Sequence, residues 1–176
     1  MQALRTTLLL LGTLFILTPH GCPEIRLVRQ RGETEVYPLF SAIHGGNTQL
    51  KPGQRLRTGT SGKSLFQVEA SEAELGEDSL LLIEESAPGF CGQLFLIRGA
   101  LKVEAKRLPL LVRTPSALVL IPAGNAEILV KKDRSLVLPK GESPLTITTN
   151  HALKKIHKGK QGMVSELGKI QIKDMQ

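Results

Sequence analysis

The sequence predicts an all-β fold: a single domain of many short strands, arranged as a sandwich or a solenoid-like coiled sheet, after an N-terminal signal helix. Three observations predict it. Apolar residues dominate 111–130, "LVRTPSALVLIPAGNAEILV", but a helix there would lose about 3 kcal/mol at each of Pro115 and Pro122, with a further penalty at Gly124. Val112 and Thr114, Leu118 and Leu120, and Ile128 and Val130 alternate instead over short extended pieces. The prolines and Gly124 then mark strand ends, where no ladder hydrogen bond is lost. The same grammar recurs elsewhere, with short aliphatic runs bounded by "HGGNT", "KPGQ", "TGTSG", "APGFCG" and "PKGESP".

Taken in order, residues 1–21 stand apart from this domain. "MQALRTTLLLLGTLFILTPHGC" carries Arg5, then an uncharged apolar run over 8–17, then Pro19, Gly21 and Cys22. That order predicts an export signal, and the run is short for a membrane span, which needs about 20 residues. Gly21 followed by Cys22 resembles the end of a bacterial lipobox, with Pro19 where that motif has an aliphatic residue. Cys22 would then be lipidated and become the mature first residue. Two other readings stay open: an uncleaved signal anchor, and a secreted protein in which Cys22 pairs with Cys91.

Residues 22–27 read as a short linker. Strands are predicted over 25–29, 35–39, 54–57, 64–70, 80–84, 93–97, 101–105, 136–138, 145–149 and 169–172. The stretch 111–130 reads as two short strands and a sharp turn. Only 151–158 allows a short helix, and its apolar stripe is poor. Residues 165–176 read as a C-terminal strand or tail, and the Leu-x-Gly turns are too irregular for a repeat array.

Composition excludes several functions. The chain has 176 residues, enough for one domain with a real core. With 3% aromatic residues and no tryptophan, the core must be aliphatic, and the stacking platforms of single-strand nucleic-acid binding are missing. The formal net charge is +7, and Lys154, Lys155, Lys158, Lys160, Lys169 and Lys173 crowd the C-terminal segment without groove-reading elements beside them, so no nucleic-acid partner is expected. "KKIHKGK" reads as a solvated surface, or as a patch for anionic envelope polymers or lipid head groups. The acids of 69–85 read as outward strand faces, because a calcium loop would need D-x-[DN]-x-[DN]-G spacing.

No catalytic, metal or cofactor site is predicted. "TGTSGKS" ends like a phosphate-binding loop, but Arg57 stands at the first glycine position and a strand follows it, leaving no helix N-terminus to hold phosphate. His20, His44, His151 and His157 lack metal-ligand spacing. Cys91, between "GF" and "GQL", reads as a buried or turn cysteine rather than an activated nucleophile.

From 28 to 164 the order of motifs resembles the FecR-like domain, the periplasmic sensing module of ferric-citrate-type regulators. "LKPGQRLRTGTSGKSLFQV" is similar to that family's G-x-x-L-x-T-G opening, on Gly53, Thr58 and Gly59. "AELGEDSLLLI" is similar to the strand and turn that follow. "LFLIRGALKVEA" resembles its L-x-x-G-x-L segment, on Gly99. "VRTPSALVLIPAGNAEILV" resembles V-x-T-P-x-A followed by G-T-x-F-x-V, on Thr114, Pro115 and Gly124. Asn125 and Ala126 depart from the pattern after Gly124, Ile128 replaces Phe, one residue is added before Gly124, and "ASE" at 70–72 replaces D-G-S.

The resemblance implies that Thr114 and Pro115 end one strand, Ala117 begins the next, and Gly124 turns into a third. It also implies a non-enzymatic binding or signalling adaptor with an envelope protein partner. The expected location is the periplasmic face of the envelope, on the outer membrane through a lipid on Cys22. The alternative is a structural envelope lipoprotein that holds a polymer or an assembly in place, with an envelope hydrolase behind it. Because few residues precede the apolar run, direct control of a sigma factor is not expected.

Overall fold

The computed structural model describes residues 24–38, 48–86, 89–90, 92–132 and 134–175. Strands and turns, and no helix, form among the described residues. The first eight strands are β1 (Ile25–Arg31), β2 (Thr34–Tyr37), β3 (Thr48–Leu50), β4 (Arg55–Thr58), β5 (Lys63–Val68), β6 (Ser71–Leu75), β7 (Leu80–Glu84) and β8 (Gly92–Ala105). After them come β9 (Leu110–Arg113), β10 (Leu118–Ile121), β11 (Gly124–Lys131), β12 (Arg134–Pro139), β13 (Leu145–Thr148), β14 (Leu153–Ile156), β15 (Lys160–Ser165) and β16 (Ile170–Asp174).

These sixteen strands hydrogen-bond into one continuous sheet, which β8 divides into two layers. The second half of β8 pairs with β6 and β11, placing it in a layer ordered β3, β1, β5, β6, β8, β11, β12, β15, β16. The first half pairs with β7 and β9, in a layer ordered β2, β4, β7, β8, β9, β10, β13, β14. Among the described residues the pairs are antiparallel, save β8 with β9.

Strand alternation puts one face of each layer inside. Phe66, Val68, Leu101, Val103 and Ile128 from the first layer and Leu81, Leu94, Val119, Ile121 and Ile147 from the second belong to one buried aliphatic cluster. The layers meet closely: a Cβ on Gly162 of β15 would lie 2.1 Å from Ile156 Cδ1 and 2.7 Å from Ile147 Cδ1. The architecture is therefore a two-layer sandwich with a shared strand. The all-β class matches the sequence expectation.

Several element expectations need correcting. The pieces 93–97 and 101–105 are one bent strand, β8, because Gly99 adopts φ +94° and lets the chain change layers without a break. The helix expected over 151–158 is a turn followed by β14, whose backbone pairs with β13 from Leu145↔Ile156 to Thr148↔Leu153. The stretch 111–130 contributes to three strands, β9, β10 and β11, rather than the two read from its apolar pattern, and the third opens at Gly124. The strand expected over 64–70 stops at Val68, since Glu69 turns with φ 52° and Val68 pairs with Ser71. Residues 25–27, which the linker and the strand expected over 25–29 both claimed, are the start of β1, with Ile25 and Leu27 buried.

Candidate binding surfaces

The signature residues stand in turns, at strand ends and at the bend of β8. At Lys51 to Gln54 a Pro-Gly pair closes a turn, with Gly53 at φ +87° and the Gln54 N–H donating to Lys51 O at 3.1 Å. Gln54 is buried: its Oε1 accepts the Lys51 N–H at 2.7 Å and its Nε2 donates to Pro38 O at 3.0 Å. Thr58, also buried, accepts the Ser79 N–H at 3.0 Å. Ser79 Oγ in turn accepts the Ala100 N–H at 3.0 Å, next to Gly99. Gly59 donates its N–H to Glu33 O at 3.0 Å, which joins the β1–β2 and β4–β5 turns.

Thr114 carries the most closely bonded of these turns. Its N–H donates to Ala117 O at 2.7 Å, and its Oγ1 accepts the Ala117 N–H at 3.0 Å. Ser135 Oγ donates to Thr114 Oγ1 at 2.9 Å and sits 2.8 Å from Ser116 Oγ, so three hydroxyls run from β12 into the turn. The turn at Thr149 repeats the pattern: its N–H donates to Ala152 O at 2.8 Å and its Oγ1 accepts the Ala152 N–H at 3.1 Å. Pro115 fits at the second turn position because its ring presets φ there and no N–H is needed. These two turns and the Glu166 to Gly168 turn line a groove of about 570 Å³ at one end of the sandwich. Leu167, at its rim, is 85% exposed.

A second surface is the outer face of the β7, β8, β9, β10 layer. There Arg113 Nε donates to both carboxylate oxygens of Glu84 at 3.1 Å, and its Nη2 also reaches Oε1. Gln93 Nε2 donates to Glu84 Oε2 at 2.9 Å. The guanidinium lies 3.6 Å from the Phe95 ring centroid. The Arg113 hydrogen bonds hold the Glu84 carboxyl below its ordinary value, and Glu84 raises that of Arg113. Arg113 is thereby oriented along the sheet, its plane covered by an aromatic face.

The third surface, on the opposite layer, is a charged depression of about 480 Å³ lined by Glu72, Glu74, Lys102, Glu104, Glu127 and Lys140. Lys106 reaches Glu72 at 3.1 Å and Glu104 at 3.7 Å, and the Glu72 hydrogen bond raises the Lys106 ammonium above its ordinary value. Lys140 lies 3.6 Å from Glu127. The acids of β6 thus stand on an outward face among lysines. The C-terminal lysines are spread out: Lys154 donates to Ile170 O, Lys158 pairs with Glu142, and Lys160 pairs with Asp174 at 3.4 Å.

Among the described residues no three His, Cys, Asp or Glu side chains gather as metal ligands, and no helix is long and apolar enough to cross a membrane. His151 and His157 are exposed. Cys22, Cys91, His20 and His44 lie outside the described residues. The sequence pattern alone did not bring Arg113, Phe95 and Glu84 together. The available signal was that β7 and β8 are apolar at consecutive positions rather than alternate ones.

These features define a β-sandwich with buried polar groups at its turns and strand ends, a groove at one end and a charged depression on one outer face. No family model matches this chain, and no curated protein matches it either. Two crystal structures of a "putative anti-sigma factor" from Parabacteroides distasonis share the fold, each with a TM-score of 0.59. Sequence identity is 12% and 13%, and the match covers 68% of this chain. This chain spans 59% of the length of that protein. At such identity the likeness is one of fold.

Proposed function

We propose that this chain is a non-enzymatic FecR-like binding and signalling adaptor of the bacterial cell envelope. It is exported, lipidated on Cys22, and held at the periplasmic face of the outer membrane, where it binds an envelope protein. The observation that carries the reading is the turn at Thr114 to Ala117. The T-P-x-A segment on which the resemblance rests is a closed turn, with Thr114 and Ala117 buried and Pro115 exposed, at the edge of a groove, in a fold shared with the Parabacteroides protein. That protein's description brings a regulatory role to this chain as part of the same proposal.

Cross-linking in intact cells of the native host, followed by purification from membranes, tests it. An adaptor recovers a receptor or regulatory protein in stoichiometric amount. Recovery of peptidoglycan alone would point to a structural lipoprotein, and turnover of an envelope polymer by the purified chain would overturn the non-enzymatic reading.

A further inference from the structure

β7, the first half of β8, and β10 contain Leu80 to Ile83, Leu94 to Ile97, and Leu118 to Ile121, each apolar at four consecutive positions. Strands of this kind are covered on both faces, whereas a strand with one wet face alternates. The inner set, including Leu81, Leu94 and Val119, is buried in the core. The outer set, Leu80, Leu82, Phe95, Ile97, Leu118 and Leu120, is only partly buried. Register brings these residues side by side: Leu82 faces Phe95, Phe95 faces Arg113, and Arg113 faces Leu118.

Charge decides what fits on this face. Its acids are Glu35 and Glu84, held by Arg57 at 3.6 Å and by Arg113. At the rims stand Arg55, opposite Leu82, and Lys155, opposite Thr146. Both are exposed and neither forms an ion pair among the described residues. A second copy fits poorly. A two-fold along the strands brings the Arg55 rim over the Lys155 rim, and one across them stacks arginines of β4 on their own counterparts. Aromatic and arginine side chains at an apolar centre with little Lys or Glu are the composition of a protein interface core.

We infer that this outer face docks an acidic, amphipathic helical segment of a partner protein, its apolar side on Leu82, Phe95 and Leu118 and its terminal carboxylates on Arg55 and Lys155. The inference rests on the adaptor reading and names the chemistry of its partner. From β4 to β14 there are six strand spacings of about 4.8 Å, roughly 29 Å. That is the length of a helix of about 20 residues.

The test uses the full chain and a labelled synthetic helix of that length, with leucines along one face and glutamates in both terminal turns. A control peptide carries lysines in place of the glutamates. The glutamate peptide binds at least about tenfold more tightly than the control, and R55E with K155E reverses the preference without changing the circular dichroism. L82E with L118E weakens the glutamate peptide by about tenfold or more. Equal binding of both peptides, or no response to either double variant, overturns the inference. So does a dimer in sedimentation that L82E dissolves, which makes a second copy the occupant. Retention on phosphatidylglycerol vesicles that R55E with K155E abolishes, while the glutamate peptide stays unbound, makes the occupant a membrane and also overturns it. A native partner cross-linked through the charged depression of the other layer would sink this inference and leave the adaptor reading standing.

Discussion

Gly99 sits where β8 passes between layers, at φ +94°, and a Cβ there would lie 2.0 Å from Ser79 Oγ and 2.5 Å from Ser79 Cα. Backbone strain and collision combine, so Gly99→Ala is expected to cost about 3 kcal/mol in urea unfolding. Gly124 has a similar φ of +86°, but its nearest neighbour is Gly141 Cα at 3.7 Å. Gly124→Val should therefore cost only the strain, about 1–2 kcal/mol, and an equal loss at both sites would contradict the collision at Gly99. Thr114→Val removes the acceptor used by the Ala117 N–H and by Ser135 Oγ, two buried groups. A loss of about 1–3 kcal/mol is expected, and the same change at half-buried Thr149 should cost less. Glu84 adds a pH dependence. Its folded pKa is depressed by Arg113, so its stabilisation is fully present above the unfolded value of about 4.3 and is lost as pH falls through the folded value. Melting at pH 7 and at about pH 3 should show a smaller acid-induced loss for Glu84→Gln than for the wild type.

Elements were legible where local pattern and packing agreed. β7 and β10, rich in aliphatic residues and bounded by Ser79 and Pro122, were readable from sequence because propensity and punctuation coincide there. β6, "SEAEL", has neither β-branched nor aromatic residues and is held as a strand by β5 and β8 on either side. β14, "LKKI", has helix-favouring lysines, yet Thr149 closes the preceding turn and Ile156 enters the core. In both, tertiary pairing overrides local preference. At Gly53, Gly99 and Gly124 a positive φ restricts residue type, as does the hydroxyl-closed turn at Thr114. The Glu84 and Arg113 pair was not legible, since 29 residues separate partners brought together by a parallel pairing of β8 with β9. Gly162 tests layer contact directly. Gly162→Ala pushes against the flexible ends of Ile156 and Ile147, so a loss of about 1–3 kcal/mol is expected, partly restored by Ile147→Val in the same chain. Purely additive losses would mean that the layers are not in contact there.

At the scale of the whole molecule, the proposed lipid anchor sets where the sandwich stands. β1 begins at Ile25, which is buried and pairs with Leu50 and Val68. Three residues of chain span at most about 10 Å, so a lipid on Cys22 would hold this end of the sandwich against the head groups. Each methylene of the acyl chains contributes about 0.8 kcal/mol to retention, and two or more chains anchor where one would exchange. Cys22→Ala should then accumulate a larger precursor, lose labelling by a fatty-acid analogue, and leave the folded domain with unchanged stability. The rival reading, a bridge between Cys22 and Cys91, predicts the opposite on each count. No label would be taken up, the wild type would shift on a gel when reduced, and either cysteine variant would lose about 2–4 kcal/mol as a long loop opens. Because Pro23 and Glu24 follow Cys22 and no Asp stands directly after it, the lipidated chain is expected in the outer-membrane fraction of a two-membrane bacterium. Labelling that persists in Cys22→Ala would remove the anchor from the proposal and free the sandwich from the membrane surface, without touching the fold or its docking face.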